Sequence, residues 1–432
     1  FPENAHNNLW IGSTSLNSIY MMQITVKKLK KINHSKYLCL NSIIMNNLFD
    51  NTEIAFRLKT DSQLERAYFL FRLIKSEPLV KIGTAVTKFA LNSSLPVEGL
   101  IRSTVFDHFC GGVSEEDCLP IIDNMMTKNV HSVLDYSVEG KEEEVQFDRV
   151  MNKTLLLINF VKEKDAMPFA VFKPSGFGRL AIYQKISEGA ELSPKEQQEW
   201  DRVIERYEKV AKACYDKDVC LLIDAEESWM QKAADDLLED LMEKYNKEKV
   251  IIFSTLQLYR HDRLDYLKAL HERSKAKGFK IGMKLVRGAY MEKERERAEK
   301  NNYPDPICTN KKATDENFNV VLKYMFDHLE DMAIFCGTHN EESSYMLMNM
   351  INASDYSRSD MRLWFGQLFG MSDNISYNLA DQGYNVAKYL PFGPVKDVMP
   401  YLIRRAEENT SVAGQTNREL DLISSEKKRR KL

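Results

Sequence analysis

Residues 385–409 read NVAKYLPFGPVKDVMPYLIRRAEEN, and this stretch predicts a buried strand, a tight turn and a helix in succession. The apolar run ends at Leu390, and three turn-forming residues follow it: Pro391, Gly393 and Pro394. An amphipathic pattern begins directly after the turn, as expected of a helix that starts there. The stretch is therefore one strand–turn–helix unit.

The helix of this unit carries four polar or aromatic side chains on one face. Their spacing of i, i+3, i+4 and i+7 places Tyr401, Arg404, Arg405 and Glu408 side by side. Two guanidinium groups beside a phenol and a carboxylate suit a small anionic substrate, because Arg binds carboxylates bidentately and stays charged near neutral pH. The same spacing also fits an exposed helix face with an intrahelical Arg–Glu pair.

Outward from this unit, short apolar runs alternate with charged helical patterns. The predicted strands are 130–136, 169–173, 219–224, 250–256, 280–286, 333–337, 363–368 and 385–390. Several of these runs are continuously apolar, which is typical of parallel strands buried on both faces. Eight strand–helix repeats predict an α/β protein with a (β/α)8 barrel. An open doubly wound sheet is disfavoured, because no Gly-x-Gly-x-x-Gly follows a strand.

Four regions are expected along the chain. Residues 1–44 contain no Arg and a single acid, and we expect a disordered or non-native leader with the natural start at Met45. Residues 45–129 are expected to form an N-terminal helical arm, and residues 130–420 the barrel. Residues 421–432 end in a basic run of the kind that is usually solvated and disordered.

Within and after the arm, the pattern predicts particular elements. Residues 54–75 carry apolar residues at helical spacing, residues 92–96 are a break, and residues 147–162 read as another helix. Ser114 and Asp117 have the spacing of a capping box, which marks a helix start between them.

Composition excludes several classes of protein. A hydrophobic content of 44% with 28% charged residues indicates a globular chain, and a net charge of −3 gives no support for nucleic-acid binding. No apolar run approaches the roughly 18 residues of a membrane span, so any membrane contact is expected to be peripheral. The seven cysteines include no Cys-x-x-Cys pair and indicate reduced thiols, while the eight histidines form no metal-binding pattern.

Polar residues end seven of the eight predicted strands, where barrel enzymes carry their active sites. These residues are Lys173, Asp224, Gln257, Lys284, Arg287, Thr338, His339, Gln367 and Tyr389. Each has a structural explanation by itself, such as a helix cap for Asp224, but their placement on one rim favours a shared function. The excess of cations fits an anionic substrate together with an anionic cofactor such as a flavin dinucleotide. Hydrolase motifs, including Gly-x-Ser-x-Gly and the P-loop, are absent from the sequence.

Six segments of the chain match the proline dehydrogenase family in order. They are DAEESW at 224–229, KLVRGAYM at 284–291, TxKxxTD at 309–315, GTHN at 337–340, GQLxGMSD at 366–373, and YLPFGPV at 389–395 with RRAEEN at 404–409. The chain therefore resembles this family over residues 48–430. The resemblance implies a FAD-containing barrel that oxidises L-proline to Δ1-pyrroline-5-carboxylate, with a hydride passing from proline C5 to flavin N5 and the electrons then passing to a membrane quinone.

The resemblance also implies a setting for this activity. It makes the reaction the first step of proline degradation to glutamate. No aldehyde dehydrogenase region is recognisable, so a separate pyrroline-5-carboxylate dehydrogenase would take the product. The expected location is the bacterial cytoplasm with peripheral membrane association, or the mitochondrial matrix and inner membrane in a eukaryote.

Site roles follow from the same resemblance. Asp224 and Lys284 are expected to be catalytic. The expected substrate-binding residues are Lys173, Arg404 and Arg405 for the carboxylate, and Leu285, Tyr389 and Tyr401 around the ring. The expected FAD-binding residues are Ala225, Gln257, Val286, Arg287, Gly288, Ala289, Thr309, Lys311, Thr338, His339 and Glu408. Some bacterial relatives differ at two positions, with Arg in place of Lys284 and Trp in place of Met291.

Three other functions are alternatives to proline oxidation. Hydroxyproline dehydrogenases tend to have a smaller residue at the position of Tyr389, so this Tyr favours proline over hydroxyproline. A barrel aldolase or lyase would use Lys284 or Lys173 to form a Schiff base. A non-enzymatic binder acting through the basic tail would show strongly salt-dependent binding.

Overall fold

The computed structural model describes residues 47–76, 78, 98–137, 142–411 and 413–432. The expected leader at 1–44 and the break at 92–96 lie outside the described residues. The elements below belong to one compact unit, Phe49–Leu432. Only the first short helix begins one residue before this unit, at Leu48. Eight parallel strands form a closed barrel in sequence order. They are β1 (Val130–Tyr136), β2 (Phe169–Phe172), β3 (Cys220–Ile223), β4 (Ile252–Gln257), β5 (Ile281–Val286), β6 (Met332–Gly337), β7 (Leu363–Leu368) and β8 (Val386–Phe392). The predicted (β/α)8 barrel is confirmed.

The last strand closes the barrel by pairing with the first over its full length, from Val130 opposite Val386 to Tyr136 opposite Phe392. β8 continues through Pro391, where the sequence predicted a break. The register with β7 ends at Tyr389, so the missing N–H of Pro391 interrupts no pairing on that side. The carbonyl of Pro391 accepts a hydrogen bond from the amide of Gly111 at 2.8 Å, which connects the arm to the carboxyl end of β8.

Aromatic rings fill the interior of the barrel. The ring of Phe169 lies edge-on to Phe253, Phe335 and Trp364, with centroid distances of 5.8, 5.2 and 5.1 Å. Such edge-to-face contacts are favourable arrangements of aromatic quadrupoles. Phe335 also contacts Tyr389 at 5.9 Å, so the packed core continues directly into the residues at the carboxyl ends of the strands.

The helices of the barrel follow their strands. They are α6 (Glu144–Lys162), α7 (Leu180–Ser187), α8 (Pro194–Lys217), α9 (Ser228–Tyr245), α10 (Arg263–Lys277), α11 (Met291–Asn301), α12 (Lys311–Asp327), α13 (Glu341–Ala353), α14 (Asp373–Asp381) and α15 (Val395–Ser411). A 3-10 turn, Pro174–Gly176, follows β2. The helix predicted at 147–162 is confirmed as α6.

The arm begins with a 3-10 turn at Leu48–Asp50. Its helices are α1 (Thr52–Ala55), α2 (Asp61–Ile74), α3 (Glu98–Ile101), α4 (Asp107–Phe109) and α5 (Glu115–Met126), with a π-helical turn, Arg102–Phe106, between α3 and α4. The single helix predicted at 54–75 is interrupted, because Thr60 forms a capping box with Gln63 and starts a new helix. The predicted capping box of Ser114 and Asp117 is confirmed at the start of α5.

The chain ends in a helix, α16 (Ala413–Arg430), which runs through the expected boundary between 420 and 421. Leu422 and Ile423 pack against apolar side chains of α1 and α2. Arg430 donates hydrogen bonds to the carbonyls of Phe56 and Lys59, both at 2.8 Å. The expectation of a disordered basic tail is wrong, because its charges bind the arm.

Across the described residues, no helix combines the length and the apolar character needed to cross a membrane.

Candidate active site

The carboxyl ends of four strands bring four functional side chains together. Lys173 follows β2, Asp224 follows β3, Lys284 lies in β5 and Tyr389 lies in β8. Because all strands of the barrel are parallel, these ends meet at one rim. Four of the residues predicted for this rim therefore lie close together.

Asp224 lies between two ammonium groups. Lys284 Nζ donates a hydrogen bond to Asp224 Oδ1 and another to the hydroxyl of Tyr389 at 2.9 Å. Lys173 Nζ lies 3.4 Å from Asp224 Oδ2. The Tyr389 hydroxyl is 3.5 Å from Asp224 Oδ1, so the four side chains form one polar network.

The network determines the charge of its members. Burial by itself would raise the pKa of Asp224, but the ammonium groups of Lys284 and Lys173 outweigh this and lower it. Asp224 is therefore a carboxylate at neutral pH. Burial lowers the pKa of Lys284, and the Asp224 carboxylate opposes that shift only in part. The result is a half-buried carboxylate held between two lysine side chains.

The C-terminal arginines approach the rim from α15. Arg405 is buried, and its guanidinium lies 5.4 Å from the ring centroid of Tyr401. Arg404 lies 5.9 Å from the ring centroid of Tyr290, in the loop after β5. Both guanidinium groups thus stack near aromatic rings, as Arg commonly does. Glu408 lies in α15 as predicted, but its side chain is outside the described part of the structure.

A second group of polar residues surrounds the ends of β5 and β6. Arg287 donates to Asp315 at 2.7 Å, to Thr338 Oγ1 at 2.6 Å and to Ser343 Oγ at 3.1 Å. Gln367 Nε2 donates to the carbonyl of Thr338 at 3.0 Å. The predicted residues Arg287 and Thr338 are therefore in direct contact, and the guanidinium is held in a fixed orientation.

Near this group, Gln257 has a feature that suits a bound ligand, and Gly288 is restricted by the packing of the chain itself. Among the residues that the structure describes, Gln257 Oε1 is buried without a hydrogen-bond partner, while its Nε2 donates to the Ala225 carbonyl at 3.5 Å. A buried acceptor of this kind is costly unless something binds it. Gly288 has φ +119°, and a Cβ at this position would lie 2.5 Å from the ring of Tyr259. The backbone there can accommodate only glycine.

The remaining predicted cofactor residues differ in exposure. Ala289, Thr309 and Lys311 are exposed, and Val286 is half-buried. Lys311 donates to Asp315 at 2.6 Å, and Asp315 also pairs with Arg287, so this outer part is connected to the rim.

The position of Leu285 in β5 argues against its predicted contact with the substrate ring. It follows Lys284 directly in β5, and successive side chains of a strand point to opposite faces. Leu285 is fully buried and is not part of the interior cluster that contains Tyr389. Leu368 instead packs against that cluster and against the one that contains Tyr401. A resemblance to short motifs gives no information about which face of a strand a residue occupies.

Two further residues of the site were missed. Asp135, near the end of β1, accepts two hydrogen bonds from Lys173 at 2.9 and 3.0 Å. The signal for it was that it is the one carboxylate within β1, Val130–Tyr136. Glu226 accepts hydrogen bonds from the amide and the hydroxyl of Ser175 at 2.7 and 2.6 Å, which joins the loops that carry Lys173 and Asp224.

Comparison with known proteins places this site in a family. The model of the proline dehydrogenase family matches residues 118–418, which include all eight strands and both arginines of α15. The chain belongs to the proline dehydrogenase family. The resemblance found in the six sequence segments is thereby confirmed.

Individual relatives of this proline dehydrogenase family member vary in how much they share with it. Carbapenem antibiotics biosynthesis protein CarD of Pectobacterium carotovorum subsp. carotovorum is 35% identical over 333 residues, covering 77% of this chain and 86% of that protein. Proline dehydrogenase 1, mitochondrial, of Caenorhabditis elegans is 38% identical over 244 residues, or 55% of this chain and 40% of that protein.

The fold is also found in solved structures. Proline utilization A (PutA) from Bdellovibrio bacteriovorus, inactivated by N-propargylglycine, superposes with a TM-score of 0.63 at 19% identity, covering 87% of this chain and 38% of that chain. This likeness concerns the fold. The chain thus spans less than half of the nematode protein and of the PutA chain.

Proposed function

We propose that this chain oxidises L-proline to Δ1-pyrroline-5-carboxylate with FAD as the oxidant. The observation that carries the proposal is the network at the rim, in which the Asp224 carboxylate lies between Lys284 and Lys173 beside the Tyr389 hydroxyl. Membership of the proline dehydrogenase family supports the substrate. The excess of cations on this rim supports an anionic amino acid together with an anionic cofactor.

The residues present fit FAD. Gln257 offers a buried acceptor without a described partner, and Arg287 offers a guanidinium fixed by three side chains. Gly288, packed against the ring of Tyr259, is proposed to contact FAD through its backbone. When bound, FAD would accept, at flavin N5, the hydride that leaves proline C5. Thr338, His339, Ala289, Thr309 and Lys311 complete the proposed cofactor site, with Ala225, Val286 and Glu408 beside them.

Arg404 and Arg405 are proposed to hold the proline carboxylate. A planar guanidinium matches a carboxylate with two parallel hydrogen bonds, and two such groups next to each other fix its orientation. Lys173 supplies a third positive charge, and Asp135 holds its ammonium group in place through both carboxylate oxygens. This arrangement fixes one end of the substrate while C5 remains free to react.

Asp224 and Lys284 are proposed to act on the charges that change during the reaction. The proline nitrogen must be neutral before its bond to C5 can become an imine. A carboxylate at Asp224 can accept a hydrogen bond from this nitrogen and stabilise the positive charge that develops there. The Lys284 ammonium group, buried and aligned by Asp224, would stabilise negative charge on the side of the cofactor.

Tyr389 and Tyr401 are proposed to enclose the substrate ring, with Leu368 in the place first expected for Leu285. The Tyr389 hydroxyl accepts a hydrogen bond from Lys284, which fixes the orientation of the Tyr389 ring. This favours proline over 4-hydroxyproline, whose extra hydroxyl would need more room. Hydroxyproline oxidation remains the second candidate function within the same chemistry.

We further propose that the electrons pass to a membrane quinone through peripheral contact, and that a separate dehydrogenase takes the pyrroline product toward glutamate. Relatives whose names include "mitochondrial" support a mitochondrial location if the source is eukaryotic. A bacterial source would place the chain in the cytoplasm at the membrane. The name of the CarD relative refers to carbapenem biosynthesis, so the product of such a barrel need not always be degraded.

Visible absorbance of the purified protein, recorded before and after anaerobic addition of L-proline, tests the proposal. Flavin bands that bleach with proline would support both cofactor and substrate. A protein that stays colourless and inert after reconstitution with FAD would overturn it. Bands that persist with proline and bleach with 4-hydroxyproline would retain the fold and the cofactor and reverse the substrate assignment.

A Schiff-base aldolase or lyase is the other candidate, because burial lowers the pKa of Lys284 and a neutral lysine is the required nucleophile. Borohydride reduction in the presence of a carbonyl substrate would trap a covalent adduct on Lys284 or Lys173 in such an enzyme. Absence of an adduct together with proline-dependent bleaching would favour the flavin enzyme.

A further inference from the structure

Ser372 has an unusual conformation in the loop between β7 and α14. Its backbone has φ 49° and ψ 43°, in the left-handed region that side chains other than glycine rarely adopt. Such a conformation persists only where surrounding contacts hold it, and it is enriched at functional sites. The contacts that hold Ser372 in this conformation are therefore informative about its role.

Two residues of the last helix hold Ser372. Glu419 Oε1 accepts a hydrogen bond from the Ser372 amide at 2.5 Å, and Gln415 Nε2 donates to Ser372 Oγ at 3.5 Å. Gln415 and Glu419 are one turn apart on α16 and so share a face. Glu419 is 5% exposed, so its carboxyl group is committed to this contact rather than to solvent.

On its other side, Ser372 binds the proposed cofactor residue His339. The amide of Leu368 donates to His339 Nε2 at 3.4 Å, so the proton of the neutral ring lies on Nδ1. His339 Nδ1 then donates to Ser372 Oγ at 2.9 Å. Burial, and then the nearby Lys388 and Arg405, lower the pKa of His339 to about 3, which keeps the ring neutral. Its orientation therefore depends on Ser372.

We propose that Glu419 is a positioning residue for the cofactor site, which fixes His339 through Ser372. This inference rests on the proposed function in one respect, namely that His339 meets FAD. Both ring nitrogens of His339 bind protein groups, so the ring would present its carbon edge or face to the cofactor. A change in Ser372 would rotate the His339 ring, although Ser372 itself need not touch the cofactor.

The charges around Glu419 belong to three other elements. Asp373 at the start of α14 pairs with Lys388 of β8 at 2.7 Å and with Lys59 of the arm at 3.0 Å. Both lysines are thus bound to Asp373, while the Glu419 carboxyl group binds the Ser372 amide. The same cluster joins the arm, the barrel and α16 beside the rim.

The test uses four substitutions in the whole chain, three of which concern the last helix. Glu419→Ala removes the acceptor, Glu419→Gln keeps an acceptor without charge, and Asp421→Asn is a control at an exposed acid on the same helix. Hydrogen exchange of peptides that contain Ser372 is measured by mass spectrometry, and FAD affinity by fluorescence titration. We expect faster exchange and up to about tenfold weaker FAD binding in Glu419→Ala, which is the size of effect that the loss of one hydrogen bond can have. Glu419→Gln and Asp421→Asn should both remain close to wild type.

Ser372→Ala separates action through Ser372 from general loosening of the helix. It keeps the amide that binds Glu419 and removes the hydroxyl that binds His339, so FAD affinity should fall while exchange at residue 372 stays slow. Unchanged exchange in Glu419→Ala, or faster exchange with unaltered FAD affinity, would overturn the inference. A wild-type chain that binds no FAD would refute the proposed function, while the exchange contrast would still decide whether Glu419 holds Ser372.

Discussion

Tyr389 links the polar network to the packed interior of the barrel. Its hydroxyl accepts a hydrogen bond from Lys284, and its ring packs against Phe335. The Lys284 ammonium group also lies 4.7 Å from the centroid of the Tyr389 ring. Shortening this side chain would both open space beside the substrate and remove a partner of the proposed catalytic lysine.

We expect Tyr389→Ser to weaken proline turnover and to improve the relative use of 4-hydroxyproline, because the shorter side chain leaves room for a ring hydroxyl. Steady-state kinetics with both substrates measure the ratio of their kcat/KM values. Tyr389→Phe keeps the ring and serves as the control for loss of the hydroxyl alone. Unchanged kinetics for both substrates in Tyr389→Ser would contradict the assignment.

Arg405→Met should raise the KM for proline while FAD stays bound. The loss of one hydrogen bond between charged groups costs about 1.5–3 kcal/mol, or roughly a 10- to 150-fold change in binding. Lys396→Met removes an exposed cation from the same helix and should leave KM unchanged. Loss of the flavin colour together with an unaltered KM in the residual holoenzyme would instead assign Arg405 to the cofactor.

At the scale of elements, the last helix depends on the arm for its position. Arg430 binds two carbonyls of the arm and pairs with Asp61 at 2.9 Å, while its guanidinium is also bound to Glu426 on its own helix. Glu426 is fully buried, so these arginine contacts are needed to compensate its charge. The basic end of the chain is thus a structural element.

Arg430→Ala should lower the free energy of unfolding by about 1–3 kcal/mol, because it leaves two carbonyls and a buried carboxylate with fewer partners. Urea denaturation followed by circular dichroism measures the change. Lys428→Ala removes an exposed cation from the same helix and should change stability by less than about 0.5 kcal/mol. Equal effects of the two substitutions would show that the docking contacts contribute little.

At the scale of the whole molecule, buried titratable groups set the response to pH. Burial, and then Lys59, lower the pKa of His108 to about 3, and His339 behaves similarly. Below pH 6.5 the unfolded chain takes up protons that the folded chain excludes, so stability is lost as pH falls from 6.5 toward 3. Glu419 acts in the opposite sense: burial, then Asp373, raise its pKa to about 7, and its contribution is lost as pH rises from 4.5 to 7.

His108→Asn should therefore flatten the pH dependence of stability below pH 6.5. One fewer proton taken up on unfolding corresponds to about 1.4 kcal/mol per pH unit. His108 Nε2 contacts the Gly370 carbonyl at 3.0 Å, and the shorter Asn side chain loses this contact, which lowers stability by an amount that does not depend on pH. Urea denaturation at several pH values between about 4.5 and 7.5 measures the slope, with His261→Asn as a control at an exposed histidine. A slope equal to that of the wild type would contradict this role of His108.

The barrel and its rim could be predicted because strand burial and strand order are local properties of the sequence. Runs such as residues 250–253 and 333–336 are apolar without alternation, which is typical of strands buried on both faces. Parallel pairing then places the residues that follow them at one end. The family resemblance added predicted roles to Lys173, Asp224 and Lys284, which the structure brings into one network.

By itself, the sequence determined the fold class, the end of the barrel that carries the site and the family. Only the tertiary structure decided that Asp135 holds Lys173, that Leu285 lies outside the interior cluster of Tyr389, and that Glu419 reaches His339 through Ser372. The hydrophobic pattern of the sequence indicates which residues are buried, because side chains return to the same face every turn of a helix or every second residue of a strand. Contacts between residues 33 and 47 positions apart, such as those of Ser372, follow no such period, so they become visible only when the chain is folded.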